Sequence, residues 1–349
     1  MKLVTFRTPD RSPRAGVVHG ERIITLDYPT VLELLRDPDG VAQARKAIEG
    51  QGEEYIIGGS AAMLPTAEPP FGMVLPVRTS LGKEYMLNEV VLYAPIPEPP
   101  SVRDFYAFEQ HVKAARAKRG VGMIPEWYEI PTFYFTNNSE IYGHDEEVPY
   151  PVGSKELDIE LEIACVIGRE GKDIPVEEAA SYIAGYTIMN DWSARDFQRQ
   201  DMKLNLGPGK GKDFATSLGP WIVTPDELAS RRPGSGAGTL VSPQDAADEL
   251  VSRRYESGAD ERYDMTMVAR VDGKEISRGN FKDIFYSFPQ MIAYASRNAR
   301  LRVGDVLGSG TVGTGCLLEI GTEVHPWFQR DEVIELEIEG IGVLRNRIV

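Results

Sequence analysis

The sequence predicts an α+β fold, and three observations support this class. Strand-like runs of apolar residues, at 159–168, 182–189, 263–271 and 333–343, outnumber the helical patterns, which lie at 104–118, 192–203 and 285–297. The helical patterns do not alternate regularly with the strands, as they would in a parallel βαβ winding. The 349 residues, 42% of them hydrophobic, are enough for one large domain and a smaller one.

A proline-rich segment separates the two predicted domains. Residues 94–100 contain four prolines, which exclude a helix interior or a central strand, and we place the boundary there. Residues 1–95 are predicted to form a small β-rich domain with one helical stretch that begins near Val31, and residues 101–349 the larger domain. Residues 231–262 are rich in Gly, Ser, Asp and Arg, with one short helix predicted near 244–251, and are expected to form a surface insertion.

Composition limits the classes of function. The 53 acidic and 38 basic residues give a net charge of −15, which disfavours binding to nucleic acid or to an anionic membrane. No apolar run approaches the length of a membrane span, and the N-terminus lacks the pattern of a signal peptide, so we expect a cytoplasmic protein. The two cysteines, Cys165 and Cys316, are too few and too far apart for a thiolate zinc site, and any metal is expected to bind oxygen ligands.

Two carboxylates lie on one face of the predicted strand 159–168. The period of two places Glu160 and Glu162 roughly 7 Å apart on that face. Their repulsion is about 0.6 kcal/mol in water but roughly 2.4 kcal/mol at an effective dielectric constant of 20. A solvated strand face and a metal site are both consistent with the pattern. Ala164 and Val166 continue the same face and indicate burial, which favours a metal.

Two further segments bring polar side chains to predicted helix starts. Asp191, Arg195 and Gln198 have the spacing of one helical face, although a helix cap in which Asp191 pairs with Arg195 explains them equally well. Asp104 is predicted to open a helix, with His111 seven residues later on the same face. The alternative for His111 is an ordinary packed or surface histidine. Each of these signals is weak by itself.

Taken together, these segments resemble the fumarylacetoacetate hydrolase family over about residues 95–349. The similar motifs are Glu160-Leu161-Glu162 and the runs 190–198, 211–214, 304–311 and 317–319. The resemblance implies a catalytic domain of layered, rolled, mixed β-sheets, which keeps the α+β class, and it implies a homodimer.

The resemblance also implies a role for each of thirteen residues. The implied metal ligands are carboxylates that suit Mg²⁺, with Mn²⁺ or Ca²⁺ as alternatives: Asp104, Glu160, Glu162 and Asp191. The implied catalytic groups are a general base, the carboxylate that orients it, and three groups that hold developing negative charge: His111, Glu319, Arg195, Gln198 and Lys212. The implied substrate contacts are Tyr106, Tyr134, Arg119 and Thr311.

The implied reaction is metal-dependent hydrolysis of a carbon–carbon bond in a 1,3-diketo acid of the acylpyruvate type. It would proceed through a metal-bound enolate, with a keto acid from aromatic compound catabolism as substrate. Residues 132–137 depart from the Tyr-His-Gly-Arg pattern of the fumarylacetoacetate hydrolases, so the substrate-binding end is altered. A hydratase, decarboxylase or isomerase of a 2-oxo or 2-hydroxydienoate acid is the alternative, and a non-catalytic metal-binding or ligand-binding homologue is the minor one.

One motif points elsewhere. Residues 308–313 fit the spacing of a dinucleotide-binding loop. They lead into an apolar run, 316–320, that is predicted to be a strand rather than the required helix. A nucleotide cofactor is therefore not expected.

Overall fold

The structure is a computed structural model that describes residues 1–7, 12–50, 82–232 and 261–349. Within these ranges the strands are β1 (Lys2–Arg7), β2 (Pro13–His19), β3 (Arg22–Thr25), β4 (Glu84–Met86), β5 (Val91–Leu92), β6 (Val102–Phe105), β7 (Phe133–Thr136), β8 (Ile141–Tyr142), β9 (Glu147–Val148), β10 (Leu157–Asp158), β11 (Leu161–Ile167), β12 (Gly171–Lys172), β13 (Ile183–Asp191), β14 (Ser193–Ala194), β15 (Thr216–Val223), β16 (Thr266–Val271), β17 (Lys274–Asn280), β18 (Arg300–Leu301), β19 (Val306–Gly308), β20 (Val333–Ile338) and β21 (Gly342–Ile348). The α-helices are α1 (Val31–Arg36), α2 (Gly40–Glu49), α3 (Glu109–Lys118), α4 (Val176–Ala179), α5 (Arg195–Met202), α6 (Phe288–Ser296) and α7 (Leu317–Ile320).

Two large sheets form the framework, and the predicted α+β class is confirmed. The described strands of the first sheet follow the order β4-β3-β2-β1-β15-β13-β11-β19-β6-β7, with β5 paired to β1 and β8 to β15. The second sheet has the order β17-β16-β20-β21-β9. Most neighbours are antiparallel, but β19 and β6 are parallel, so the first sheet is mixed. Few helices accompany the sheets, as expected for this class.

The central strand β11 explains how the core is built. All seven of its residues are buried, and their side chains alternate between the two faces of the sheet. Ile163 and Cys165 join an apolar core that also contains residues of the second sheet, whereas Ala164 and Val166 join the core on the opposite face. The burial predicted for the face of Ala164 and Val166 is therefore confirmed, and Glu162 lies on that buried face.

The N-terminal strands extend the first sheet. Strand β1 pairs with β15 through Lys2 and Leu3, and α1 contributes Val31 to a core shared with Val166 of β11. The sheet thus continues across the proline-rich segment, and the division into domains 1–95 and 101–349 stays a prediction. Most of the predicted insertion 231–262, including its helix near 244–251, lies outside the described residues. Within the described ranges, no helix has the length and apolarity needed to cross a bilayer.

The helix predicted over 104–118 is wrong in its first third. Residues 102–105 form strand β6, which pairs with β19 on one side and β7 on the other, and helix α3 begins only at Glu109. Two neighbouring strands satisfy the backbone of β6, and this tertiary pairing overrides the local helical pattern. Asp104 is therefore a strand residue and does not open the helix of His111.

Two other segments also differ from the prediction. The apolar run 316–320 is not a strand, because Leu317–Ile320 forms the short helix α7. The run 333–343 is two strands, β20 and β21, which pair as a hairpin around a turn. The helices predicted at 192–203 and 285–297 are confirmed as α5 and α6, each slightly shorter than expected.

Candidate active site

A cavity of about 670 Å³ opens beside strands β6 and β7. Ten of the thirteen residues predicted for the site line it: Asp104, Tyr106, His111, Arg119, Tyr134, Glu160, Arg195, Gln198, Lys212 and Thr311. The other three lie directly behind this wall. Asp191 is bonded to Lys212, and Glu319 is bonded to His111. Glu162 belongs to the same group of carboxylates as Asp104. Segments far apart in the sequence are thus brought into one place.

Four buried carboxylates form the deepest part of the site. Asp104 lies on β6, Glu160 just before β11, Glu162 on β11 and Asp191 at the end of β13. One carboxylate oxygen from each lies within 4.8 Å of those of the others, and none of these residues is more than 6% exposed. Strand pairing explains the convergence, since β6, β19, β11 and β13 are consecutive neighbours in the sheet.

This carboxylate cluster fits a hard divalent cation. In octahedral coordination with bonds of about 2.1 Å, ligand oxygens lie about 3 Å apart when adjacent and about 4 Å apart when opposite. The spacing of the four oxygens is close to this range. Among the described residues, Glu162 Oε1 and Asp191 Oδ1 are buried and have no hydrogen-bond donor. Buried carboxylate oxygens without donors are costly, and a bound cation would satisfy them.

The electrostatics of the cluster reflect four carboxylates held close together. Burial, together with the charge of Asp191, raises the pKa of Asp104 to about 8. Burial and the charges of Asp104 and Glu160 raise the pKa of Glu162 well above its ordinary value. Burial opposes ionisation of Glu160 too, but Lys212 and Arg195 outweigh it and lower the pKa of that carboxyl to about 2. Burial and mutual repulsion therefore favour the protonated forms of Asp104 and Glu162 where no cation is bound.

Two buried cations border the cluster. Lys212 Nζ donates to Glu160 Oε2 and to Asp191 Oδ2, both at 2.6 Å. Burial alone would lower the pKa of Lys212, but Asp191 and Glu160 raise it, so the ammonium stays charged. Arg195 Nη2 lies 2.8 Å from Glu160 Oε1, and its Nη1 donates to Gln198 Oε1 at 2.9 Å. The pairing of Asp191 with Arg195 as a helix cap is not observed, since Asp191 bonds to Lys212 and α5 begins at Arg195.

A histidine and a glutamate form a buried pair next to the cluster. His111 Nδ1 and Glu319 Oε2 are 2.9 Å apart, and both side chains are 5% exposed. Cys316 Sγ lies 4.0 Å from the same nitrogen. Ligand atoms of His111, Glu160 and Cys316 also lie within 4.8 Å of one another, so a mixed group containing a thiol adjoins the all-oxygen cluster. Sequence spacing did not indicate that Cys316 lies here.

The four predicted substrate contacts lie on the cavity wall at different depths. Tyr134 is deep, and its hydroxyl donates to Asp191 Oδ2. Tyr106 lies farther out, where Arg119 Nη2 donates to its hydroxyl at 3.4 Å. Thr311 is buried, and within the described part of the chain its Oγ1 has no hydrogen-bond partner. These side chains leave polar atoms available to a ligand.

Two residues that the sequence analysis did not select are part of the same assembly. Gly310 N donates to Asp104 Oδ1 at 3.1 Å and to Glu162 Oε2 at 3.0 Å, and a Cβ atom there would lie 2.5 Å from the carbonyl oxygen of Phe105. Its φ of +78° also favours glycine. Asp158 is fully buried and accepts a hydrogen bond from Arg195 Nε at 2.8 Å. Its position in the motif before Glu160 was the one signal that could have drawn attention to it.

The chain thus has a mixed-sheet α+β fold with a cavity lined by charged and polar side chains. The family model described as fumarylacetoacetate (FAA) hydrolase C-terminal matches residues 101–349, and the chain belongs to this family. A fumarylacetoacetase of Arabidopsis thaliana is 34% identical over 250 residues, which are 62% of this chain and 57% of that protein. The fumarylacetoacetase fahA of Aspergillus fumigatus is 31% identical over 277 residues, 70% and 62% of the two chains. The chain thus spans about three fifths of the length of these relatives.

Solved structures with a similar fold support this assignment. A protein of unassigned function from Mycobacterium abscessus is 25% identical with a TM-score of 0.61, over 100% of this chain and 99% of that chain. The maleylpyruvate hydrolase of Sphingobium sp. SYK-6 is 19% identical with a TM-score of 0.64 over the same shares. The 5-carboxymethyl-2-hydroxymuconate delta-isomerase of Mycobacterium smegmatis is 23% identical with a TM-score of 0.62, again over the same shares. Enzymes named for different reactions thus share this fold.

Proposed function

We propose that this protein is a metal-dependent hydrolase that cleaves a carbon–carbon bond in a 1,3-diketo acid of the acylpyruvate type. The main support is one juxtaposition: a ring nitrogen of His111 lies within 4.8 Å of a carboxylate oxygen of Glu160, a member of the carboxylate cluster. A base held by Glu319 and close to a cation site is what attack by water on a polarised carbonyl requires.

The cluster of Asp104, Glu160, Glu162 and Asp191 would hold the cation, and hard oxygen ligands suit Mg²⁺, Mn²⁺ or Ca²⁺. When bound, a dication supplies Lewis-acid polarisation of the substrate carbonyl and stabilises enolate charge. Support comes from this chain's own unsatisfied oxygens, Glu162 Oε1 and Asp191 Oδ1, among the described residues. The solved structure of the Sphingobium hydrolase in complex with manganese(II) and pyruvate agrees with this assignment.

The residues of the chain would share the proton transfers and the charge. With Nδ1 of His111 held by Glu319, Nε2 accepts a proton from water, and the water oxygen bonds to a substrate carbonyl carbon. The adjacent carbon–carbon bond then breaks, and its electron pair forms an enolate. The imidazolium returns the proton to the enolate carbon. The products are a carboxylic acid and a 2-oxo acid. Arg195 and Lys212, both at most 3% exposed, stabilise the oxyanions because their charges are fixed in a dry pocket.

The charge of the cavity wall supports an acidic substrate. Six cationic side chains and two carboxylates are found among the described residues that line it. The cations are Lys118, Arg119, Arg195, Arg199, Lys203 and Lys212. Arg195, Arg199 and Lys212 are paired with carboxylates. The attraction for an anionic substrate would therefore come mainly from Lys118, Arg119 and Lys203, in a protein whose net charge is −15.

A substrate panel tests the proposal. The Mg²⁺-loaded protein is incubated with fumarylpyruvate, acetylpyruvate, oxaloacetate and a 2-hydroxydienoate. Release of a second carboxylic acid supports hydrolysis, whereas CO₂ release or a shift of the dienol absorbance would show a decarboxylase, hydratase or isomerase instead. Metal binding without turnover of any of them would favour the non-catalytic homologue. The homodimer, the cytoplasmic location and a role in aromatic compound catabolism stay predictions, and light scattering tests the first.

A further inference from the structure

Asp158 is a buried carboxylate that lies behind the cavity wall. It is 0% exposed, and its two oxygens accept four hydrogen bonds. Oδ1 accepts from the backbone amides of Ile159 at 2.9 Å and Leu317 at 2.8 Å. Oδ2 accepts from the backbone amide of Leu318 at 3.0 Å and from Arg195 Nε at 2.8 Å. Asp158 thus joins three segments that are distant in the sequence.

An aspartate side chain is what this arrangement of four donors requires. Each carboxylate oxygen can accept two hydrogen bonds, whereas an asparagine offers one acceptor oxygen and an NH₂ group that only donates. Asparagine at position 158 would therefore direct its NH₂ group at two of the four donors. Because the position is closed to solvent, those donors would stay unpaired, which is costly. The positive charge of Arg195 compensates the buried negative charge.

The first connection runs from Asp158 to the arginine of the site. Strands β10 and β14 pair Asp158 with Ser193, which brings Arg195 alongside. Because Nε is bonded to Asp158, the planar guanidinium is fixed, with Nη1 toward Gln198 and Nη2 toward Glu160. The orientation of the cation that faces the cavity therefore depends on Asp158.

The second connection runs from Asp158 to the general base. Helix α7 has only four residues, too few to be stable by itself. Its first two amides, those of Leu317 and Leu318, would lack partners without the carboxylate of Asp158. Glu319 follows on the same turn and holds His111 Nδ1 at 2.9 Å. The orientation of the His111 imidazole ring therefore also depends on Asp158.

We propose that Asp158 is a positioning residue that holds the His111–Glu319 pair and Arg195 in one fixed geometry. The inference rests on the proposed function, since it concerns the base and the cation of that reaction. Asp158 itself does not contact the substrate. Its effect on the reaction passes through α7 on one side and through the guanidinium of Arg195 on the other.

The test compares Asp158→Asn with Asp305→Asn in the Mg²⁺-loaded full chain. Asp305 is a matched control because it is 2% exposed, accepts from Ser101 Oγ and Arg302 N, and pairs with Arg103 at 3.3 Å, away from the cavity. Asp158→Asn should lower kcat roughly 10- to 100-fold, as loss of a residue that orients a site from behind typically does. Asp305→Asn should leave kcat within about twofold. Equal loss of kcat in both variants would overturn the proposal.

A second pair of variants covers the case that Asp158→Asn does not fold. Leu317→Pro removes one of the four donors while the carboxylate stays, and proline fits the first position of a helix after the extended Cys316. Leu317→Ala loses the same packing but keeps the donor. Leu317→Pro should lower kcat about tenfold more than Leu317→Ala does. A tenfold difference in rate is what the loss of one hydrogen bond to a charged group corresponds to. Equal kcat in the two would overturn the proposal.

Oxalate binding separates failure of this proposal from failure of the proposed function. Oxalate is a stable dianion that resembles the enolate of a 2-oxo acid, and calorimetry measures its affinity for the Mg²⁺-loaded protein without turnover. If wild type turns over no substrate of the panel, the proposed function fails, yet oxalate still reports on Arg195. Asp158→Asn should weaken oxalate binding about tenfold relative to Asp305→Asn, since the guanidinium loses its fixed orientation. Equal affinities would overturn the connection through Arg195.

Discussion

Replacing Lys212 by methionine should destabilise the metal-free protein far more than the same change two residues earlier. Lys212 Nζ lies 2.6 Å from Glu160 Oε2 and 2.6 Å from Asp191 Oδ2, and its side chain is 3% exposed. At an effective dielectric constant of 20, each contact corresponds to about 6 kcal/mol of attraction, most of which offsets the cost of burying the charges. Breaking a buried pair of this kind typically costs about 3–5 kcal/mol, because the partner carboxylates stay buried without compensation.

The measurement is thermal unfolding in the presence of a chelator and again with saturating Mg²⁺. A loss of 3–5 kcal/mol corresponds to a Tm lower by about 6–20 °C, at roughly 2–4 °C per kcal/mol. Lys210→Met is the matched control, since Lys210 pairs with Asp213 at 2.9 Å but is 75% exposed, and exposed ion pairs contribute little. Mg²⁺ should raise the Tm of Lys212→Met more than that of wild type, because the dication replaces the missing positive charge.

Two results would refute this reasoning. If Lys212→Met and Lys210→Met had the same Tm in chelator, the ammonium would not be compensating buried carboxylates. If Mg²⁺ raised the Tm of wild type and of Lys212→Met equally, the cation and the lysine would not serve the same group of carboxylates. The second outcome would also count against binding of the dication beside Lys212.

Three further predictions follow from the site. His111→Ala should lower turnover of the wild-type substrate about 10²- to 10⁴-fold, while calorimetry shows that its Mg²⁺ affinity is retained. His144→Ala is the control. Full turnover by the His111→Ala variant would exclude His111 as the base. In the presence of a chelator, the free energy of unfolding should fall as the pH rises from about 4 to about 8. Burial raises the pKa of Asp104 to about 8 in the folded protein, so over this range the folded chain keeps a proton that the unfolded chain releases. Mg²⁺ replaces that proton and should flatten the dependence in urea titrations, so identical slopes with and without metal would contradict it. Gly310→Ala should lower the free energy of unfolding by about 1–3 kcal/mol and weaken Mg²⁺ binding. The control Gly273→Ala, at a φ of +76° with no heavy atom near the added Cβ, should lower stability without changing Mg²⁺ binding. Unchanged Mg²⁺ affinity in Gly310→Ala would count against the role of the Gly310 amide.

The family resemblance indicated most of the side chains that lie together in the cavity, and the residue pattern alone indicated part of that set. Glu160 and Glu162 were placed on one face by the period of two, and the apolar residues that follow correctly indicated that the face is buried. Asp104 and His111 were placed together for a wrong local reason, since Asp104 lies on β6 and not on the helix. Strand pairing with β19, some 200 residues later, brings Asp104 to the cluster, and such pairing leaves no trace in the local pattern.

The helix spacing of Asp191, Arg195 and Gln198 shows a similar limit. Arg195 and Gln198 do share α5 and are bonded to each other, as the spacing predicted. Asp191 belongs to the preceding strand and pairs with Lys212, which comes from a separate segment. The spacing of an aspartate four residues before an arginine favours a local pair. In the structure, the buried ammonium of Lys212 pairs with the buried carboxylates of Asp191 and Glu160 instead. Local charge patterns are therefore unreliable where the groups are buried.

Two of the residues that sequence reasoning missed, Asp158 and Gly310, share one physical property: most of their contacts run through backbone amides. Asp158 accepts from the amides of Leu317 and Leu318, and Gly310 donates its own amide to Asp104 and Glu162. Every residue except proline offers such a donor, so the identity of the side chain at the donor position carries no signal. What the fold supplies is the direction of the N–H group, through α7 in one case and the turn after β19 in the other. The geometry of the base and of the carboxylate cluster is thus set by main-chain positions, and substitutions that keep the N–H direction should be tolerated there more readily than those that change it.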